Sequence, residues 1–288
     1  MPSDETLFGS VDNLNCQQIL HSPLGKKNEY ISHYQPDLLF PIERQAQRQQ
    51  LGITANALPF QGNDVWNAYE LSWLNTQGKP MIAMAEFIFP CTSSHLIESK
   101  SFKLYLNSFN NTQFDSMEAV QAILVRDLTK ATGTAVFVQI QTLANVCMEL
   151  QRSFSGICLD ELAVTCDTYS VTPAYLQTEN QLVTESLYSD LLKSNCPVTG
   201  QPDWASVQIA YTGKQIQHAG LLKYIVSYRN HQEFHEQCVE TIFCDIQRYC
   251  QPEKLCVFAR YMRRGGLDIN PYRANYPVKL VNQRLWRQ

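Results

Sequence analysis

A short pattern occurs twice in this chain, and the repetition constrains its fold more than any other feature. Ser108-Phe109-Asn110-Asn111-Thr112-Gln113-Phe114 and Ser227-Tyr228-Arg229-Asn230-His231-Gln232-Glu233-Phe234 share Ser-aromatic-x-Asn-x-Gln, with one extra residue before the closing Phe of the second copy. Matching patterns so far apart require matching local frameworks, so the chain reads as an internal duplication. The flanks agree. After Phe114, Asp115 and Ser116 offer an N-cap, and Met117, Val120, Ile123, Leu124 and Leu128 follow at helical spacing. After Phe234, Val239, Ile242, Phe243 and Ile246 keep the same rhythm. Each helix leads to a strand candidate: residues 134–140, where Val136, Val138 and Ile140 alternate, and residues 255–262. Segments rich in β-branched and aromatic residues precede both copies, at 64–74 and 81–89, then at 204–211 and 221–228, and all four read as extended. Turn sequences such as Asn75-Thr76-Gln77-Gly78-Lys79-Pro80 bound them. The predicted architecture is α+β: tandem units of antiparallel sheet with helices packed on one face. Residues 155–177, with Thr165, Asp167, Thr168 and the Thr172-Pro173 step, read as the extended connection, dividing the chain into units 1–170 and 171–288.

Composition narrows the class of activity. A length of 288 residues suits two domains, and 44% apolar with 17% charged residues is ordinary for a globular protein. No apolar run approaches the roughly 20 residues a membrane helix needs, and Met1-Pro2-Ser3-Asp4-Glu5 carries no secretory pattern, so a soluble, cytoplasmic protein is expected. The ten cysteines are scattered, as reduced thiols in such a compartment would be. Cys238, Cys244, Cys250 and Cys256 recur every six residues, but six helical residues turn the face by about 240°, so the four do not converge on one ion and no metal is expected. A net charge of −4 argues against a surface that coats nucleic acid.

One loop carries the chemistry. Cys196-Pro197-Val198-Thr199-Gly200-Gln201-Pro202-Asp203-Trp204-Ala205 sets a cysteine beside a rigid turn, with a carboxylate seven residues on. Pro197, Gly200 and Pro202 forbid a regular helix, which leaves a shaped loop of the kind that presents reactive groups. A thiolate is the attacking form of cysteine, and Asp203 is placed to accept the thiol proton and later return it. By spacing alone, a small buried hydrophobe is the commoner role for a cysteine. The residues leave other readings open: a cysteine hydrolase or amidase with His235 as base, a zinc-dependent cyclohydrolase built on Cys91 and His95, or a non-catalytic binding protein.

The ten-residue segment from Cys196 to Ala205 resembles the active-site motif of the NADPH-dependent 7-cyano-7-deazaguanine reductases, the nitrile reductases of queuosine biosynthesis. Glu98-Ser99-Lys100-Ser101-Phe102-Lys103-Leu104-Tyr105 is similar to that family's Glu-Ser-Lys-Ser-x-Lys signature. Further similar segments are Pro23-Leu24-Gly25-Lys26, Leu38-Leu39-Phe40-Pro41-Ile42, the run from Trp66 to Asn75, Phe234-His235-Glu236 and the run from Arg263 to Pro271. Asn28 and Glu43 depart from the long-form pattern, which usually reads Thr and Pro there, outside the catalytic motifs.

The resemblance implies tunnelling-fold units, two fused in each chain, assembling as a homodimer. It implies reduction of the nitrile of a deazapurine, 7-cyano-7-deazaguanine, to the primary amine with two NADPH. Cys196 would add to the nitrile carbon as a thioimide, and Asp203 would supply the proton to nitrogen. The substrate contacts implied are Ile97, Glu98, Ser99, Phe234, His235 and Glu236, with a carboxylate accepting the paired N–H and NH₂ donors of the ring. NADPH contacts fall on Ser99, Lys100, Arg264 and Gly265, in the company of Lys103 and Arg263. No Gly-x-Gly-x-x-Gly follows a strand, so a Rossmann site is not expected. Any link to tRNA runs through metabolism, with no direct nucleic-acid or membrane partner.

Overall fold

The computed structural model describes residues 30–54, 57–145 and 150–288. The Pro23-Leu24-Gly25-Lys26 segment and Asn28 lie outside them. In the first half, β1 (Pro41–Glu43), α1 (Gln45–Gln50), the long hairpin β2 (Asn63–Leu74) and β3 (Pro80–Pro90), β4 (His95–Ile97), α2 (Ser99–Asn107), α3 (Met117–Thr132) and β5 (Phe137–Gln141) follow in order. Two short strands, β6 (Leu150–Gln151) and β7 (Ile157–Cys158), lead to the second half. That half comprises the hairpin β8 (Thr178–Asn195) and β9 (Pro202–Ile216), α4 (His218–Ser227), α5 (His235–Cys250), β10 (Lys254–Tyr261), β11 (Leu267–Ala274) and β12 (Arg284–Leu285).

The architecture is the α+β one expected. Eight strands form one sheet in the order β5-β3-β2-β11-β10-β9-β8-β7, antiparallel throughout except for the β7–β8 pair. The halves meet inside that sheet, where β11 pairs with β2 in the register Leu267↔Ala68, Ile269↔Trp66 and Pro271↔Asp64. Helices cover one face in two groups. Phe102, Tyr105, Val120, Leu124 and Leu128 from α2 and α3 pack on Trp66, Phe87 and Phe89, and Leu222, Ile225, Ile242, Phe243 and Ile246 from α4 and α5 pack on Val207, Ile209 and Val257. Each such side chain, fully buried, contributes about 1.5–3 kcal/mol. Among the described residues no helix is long and apolar enough to cross a membrane.

The repeated pattern has a structural job. Its Gln makes a parallel bridge to the end of the preceding hairpin, Leu74↔Gln113 in the first half and Asn195↔Gln232 in the second. The Ser hydroxyl donates to the carbonyl three residues back, Tyr105 or Tyr224, at 2.6 Å in both halves. It also accepts from the N–H of the residue before a short 3-10 turn, Gln35 or Thr172, at 3.2 Å in both. Each of those tyrosines donates to a helix aspartate, Tyr105 to Asp127 and Tyr224 to Asp245.

The helix after each copy forms where its spacing predicts. Ser116 caps α3 by accepting from the N–H of Ala119, and Gly133, at φ +74°, closes it in the left-handed conformation that glycine adopts without strain. Residues 221–228 are different: they read as extended but lie almost wholly in α4. Leu221, Leu222, Tyr224 and Ile225 are all buried, and a helix packed deeply against a sheet carries apolar residues at i, i+1 and i+4, so the aromatic and β-branched content misleads. The strand that pairs with β9 lies upstream, in β8.

Candidate active site

Cys196 opens the turn between β8 and β9. Its N–H donates to the Gln201 carbonyl at 2.9 Å, and its carbonyl accepts from Gly200 N–H at 3.0 Å. Gly200 has φ +66°, which a side chain would strain. Register then puts Asp203 opposite Ser194, one residue into β9. The second copy of the repeat brings the next group in. Asn195 donates to the His231 carbonyl at 2.7 Å and accepts from Glu233 N–H at 3.2 Å, which docks the start of α5 beside the cysteine. The first half supplies the facing wall: Trp66 from β2, and Ile97 and Ser99 from the step between β4 and α2.

These elements form a narrow cleft open to solvent, lined by Trp66, Ile97, Ser99, Cys196, Pro197, Asp203, Glu233, Phe234, His235, Glu236, Arg264 and Ile269. Of the sequence-predicted residues, Cys196, Asp203, Ile97, Ser99, Phe234, His235, Glu236 and Arg264 therefore meet. Lys100 and Gly265 are the chain neighbours of Ser99 and Arg264 and are not themselves among the lining residues. Glu98 is fully buried and is not itself among the lining residues. It is the N-cap of α2, its carboxylate accepting from the N–H groups of Lys100 and Ser101 at 2.7 Å each. Burial outweighs those bonds and pushes its carboxyl up.

Charge in the cleft centres on Asp203. Arg264 Nη2 lies 2.6 Å from Oδ1, and His235 Nε2 lies 3.4 Å from Oδ2. Burial pushes the Asp203 carboxyl up, but His235, then Arg264 and Lys103, outweigh it and hold it below its ordinary value. It rests as an anion. His235 is stacked on Tyr261, ring centroids 3.8 Å apart, so its plane is fixed. Glu236 is buried, and burial first, then Asp64, pushes its carboxyl up against His235 and Arg44. Lys103 is pulled down by burial and Arg264, while Glu98, Asp203 and Cys196 oppose that shift. Other thiols are set apart: burial pushes Cys250 up to about 11 and Cys256 up to about 12, which leaves them poor nucleophiles.

Three lining residues carry no function in the sequence reading. Trp66 and Ile269 sit opposite each other across the seam between the halves, and their signal was present in segments read only for likeness. Glu233 is the extra residue of the second repeat copy. It takes the backbone place that Phe114 holds in the first, where Phe114 N–H donates to Leu74 O, and so moves Phe234 forward to cap α5. The Cys91–His95 pair of the zinc alternative faces other partners: burial pushes the Cys91 thiol up, and His95 Nδ1 bonds the Ser94 hydroxyl at 2.8 Å.

A phosphate-bearing dinucleotide fits one side of this cleft. Arg264 keeps Nη1 buried without a hydrogen-bond partner among the described residues, and Gly265, at φ +54°, has the Lys103 stem 2.9 Å from where a Cβ would stand. Arg263 lies over the Tyr69 ring at 4.7 Å.

Comparison with known proteins points to one family over most of the chain. Residues 30–140 match the family model described as "Nitrile reductase, 7-cyano-7-deazaguanine-reductase N-term", and residues 202–278 match the one described as "QueF-like protein". An NADPH-dependent 7-cyano-7-deazaguanine reductase of Dechloromonas aromatica (strain RCB) is 60% identical over 254 residues, covering 88% of this chain and 90% of that protein. Proteins of the same name from Burkholderia orbicola (strain MC0-3) and Legionella pneumophila (strain Lens) are 56% and 52% identical over 93% of this chain, and over 99% and 95% of their own length. The chain belongs to the family of NADPH-dependent 7-cyano-7-deazaguanine reductases.

Proposed function

We propose that this protein reduces the nitrile of 7-cyano-7-deazaguanine to the aminomethyl group of 7-aminomethyl-7-deazaguanine with NADPH, through a thioimide on Cys196, and so serves tRNA queuosine biosynthesis. The observation that carries this reading is the meeting of Cys196 with an anionic Asp203 in a cleft also lined by Glu236 and Arg264. As a carboxylate, Asp203 accepts the thiol proton while sulfur bonds to the nitrile carbon, and then delivers that proton to the nitrogen. Its pairing with His235 and Arg264 keeps it ionised, ready to act first as a base. Phe234 and Trp66 close over the ring and keep out water that would hydrolyse the C=N group. Glu236 accepts from the paired N–H and NH₂ donors of the substrate.

Two bound equivalents of NADPH, used in turn, supply the hydrides for the four-electron change. Ser99, Lys100, Arg264 and Gly265 would hold this cofactor, with Arg264 offering its free Nη1 to a phosphate. Glu98, with both oxygens on backbone N–H groups, acts by fixing the loop of Ile97 and Ser99 against the ring. The units 1–170 and 171–288 divide the work, the first supplying one wall and the second the reacting groups. We further assign the protein to the cytoplasm as a homodimer of tunnelling-fold units, without a nucleic-acid or membrane partner; light scattering at twice the monomer mass checks the assembly.

The test is NADPH oxidation with 7-cyano-7-deazaguanine, run beside intact-mass spectrometry. Two NADPH consumed per nitrile, with an adduct on the parent and none on Cys196→Ala, is the expected result. Hydrolysis of the substrate with NADPH untouched overturns it.

A further inference from the structure

Glu233, the residue that lengthens the second copy of the repeat, joins the two halves through its side chain. Its Oε1 accepts from Nε2 of Gln47 on α1, and its Oε2 lies 2.9 Å from Nε2 of His231. The Thr241 hydroxyl on α5 stands 3.3 Å from both oxygens. Glu233 is buried and lines the cleft, yet each of its oxygens already has a protein donor, so the carboxylate is built into a frame.

That frame surrounds the residue before Cys196. Asn195 N–H donates to the His231 carbonyl at 2.7 Å, and the Asn195 carbonyl accepts from Glu233 N–H at 3.2 Å. The side-chain bond between His231 and Glu233 closes a ring around Asn195. At its other end the frame rests on α1, which has anchors besides Gln47. Arg48 binds both oxygens of Glu240 at 2.7 and 2.9 Å, and Arg44 Nη2 reaches Asp64 at 2.5 Å. Arg273 joins those two carboxylates at 2.8 Å each, and all five of these charged side chains are buried. Asp64 stands on β2 two residues before Trp66, so a continuous set of bonds runs from the Cys196 corner to the strand that bears Trp66. The first copy has no counterpart. Phe114 holds the backbone place of Glu233 there, and the turn it supports carries Asn75 where the second carries Cys196.

We propose that Glu233 is a positioning residue for the nucleophile: through Gln47 it latches the Asn195–Cys196 corner to the first half, which supplies the facing wall of Trp66, Ile97 and Ser99. This rests on the reading of Cys196 as the attacking thiol given above. The sulfur is carried by the second half, and the ring it attacks is seated in part against the first. The β2–β11 pairing fixes the halves at the seam, and the latch adds a fixed point at the corner itself. A misplacement of about 1 Å between reacting atoms costs up to about a hundredfold in rate. The latch therefore governs the bond-forming step and leaves the hold on the ring alone.

The test separates those two steps in the full-length protein. Without NADPH, the rate at which 7-cyano-7-deazaguanine forms its adduct on Cys196 is followed by intact-mass spectrometry. Affinity for the same compound is measured in the Cys196→Ala background, which binds without reacting. Gln47→Met, similar in length but unable to donate, slows adduct formation by about tenfold and leaves affinity within about twofold. Gln47→Glu sets a second carboxylate against Glu233 and slows the step further. Adding Glu233→Gln to Gln47→Glu restores a donor and an acceptor with their places exchanged, and recovers most of the rate. Equal losses of rate and affinity overturn the inference, because the pair then acts on the ring or on the cleft as a whole. An unchanged rate with a lowered melting temperature also overturns it and leaves the pair a brace only. If Gln47→Glu does not fold, the comparison of Gln47→Met with the parent decides. A parent that binds the compound and forms no adduct removes the nucleophile reading and the latch with it, whereas equal adduct rates in the parent and Gln47→Met remove the latch alone.

Discussion

The two hairpin turns of this molecule occupy equivalent places and do different work. In the first half, Asn75 follows the strand end Leu74 and folds its side-chain oxygen onto the N–H groups of Gln77 and Lys79. It is a self-contained turn. In the second half, Cys196 follows the strand end Asn195, and its side chain faces the cleft and not its own backbone. The same docking of a repeat Gln supports both turns, so the scaffold is common and the chemistry is local. Beneath them the halves diverge again. Asp127 on α3 serves two tyrosines and Arg126, while α5 keeps the matching Asp245–Tyr224 bond and adds the buried pair Glu236 and Glu240. The braces recur in both halves, while the cysteine and carboxylates that line the cleft come from the second.

The sharpest way to break this contrast is a matched pair of substitutions. Cys196→Ala lowers turnover by at least about a thousandfold, since no other thiol is among the lining residues of the cleft. Asn75→Ala leaves turnover within about twofold and costs about 1 kcal/mol of stability, read by denaturant unfolding. Next in size, Asp203→Asn slows NADPH oxidation by about 10²–10⁴-fold. Its pH signature has a definite sign. The depressed Asp203 carboxyl contributes stability that is present above its unfolded pKa and lost as pH falls through the lower folded value. The gap in melting temperature between parent and Asp203→Asn should therefore narrow on acidification.

The braces can be compared in the same manner. Glu240→Ala takes a carboxylate from Arg48 and Arg273, leaves Arg48 without its ion-pair partner, and costs about 3–5 kcal/mol. Asp127→Asn, which leaves its hydroxyl donors an amide oxygen, costs about 1–3 kcal/mol, and calorimetry of the two variants ranks them. The smallest effects belong to the turn glycines. Gly78 and Gly200 have φ of +76° and +66°, and a Cβ would stand 3.8 Å from the Gln113 side chain at the first and in open space at the second, so alanine at either costs about 1–2 kcal/mol through backbone strain. Only Gly200→Ala should also slow the reaction.

What was legible in the sequence followed from local rules. Ser116 and the spacing of Val120, Leu124 and Leu128 announce α3, and the alternation of Val136, Val138 and Ile140 announces β5, because a cap and a period are written within a few residues. β8 escaped notice since its first seven residues are largely exposed and polar, leaving the alternation weak until Leu187. Glu98 reads as a free contact because glutamate is not a favoured N-cap, and only the fold shows both its oxygens occupied. The Arg44, Asp64, Glu240 and Arg273 cluster has no sequence signature at all. Its members stand 20 to 209 positions from those they touch, from Arg44–Asp64 to Asp64–Arg273, and burial alone gives their charges meaning. Glu233 lay in plain view as the insertion in the repeat, though a pattern of one cannot say why an insertion is there.

The β2–β11 seam carries a consequence for tolerance to substitution. Trp66 and Ile269 face each other across it, and the cleft is completed by Ile97 and Ser99 from one side and by Cys196, Asp203 and His235 from the other. The cleft is thus a property of the joined sheet and of neither half alone, so a substitution along the seam is felt by both of its walls at once.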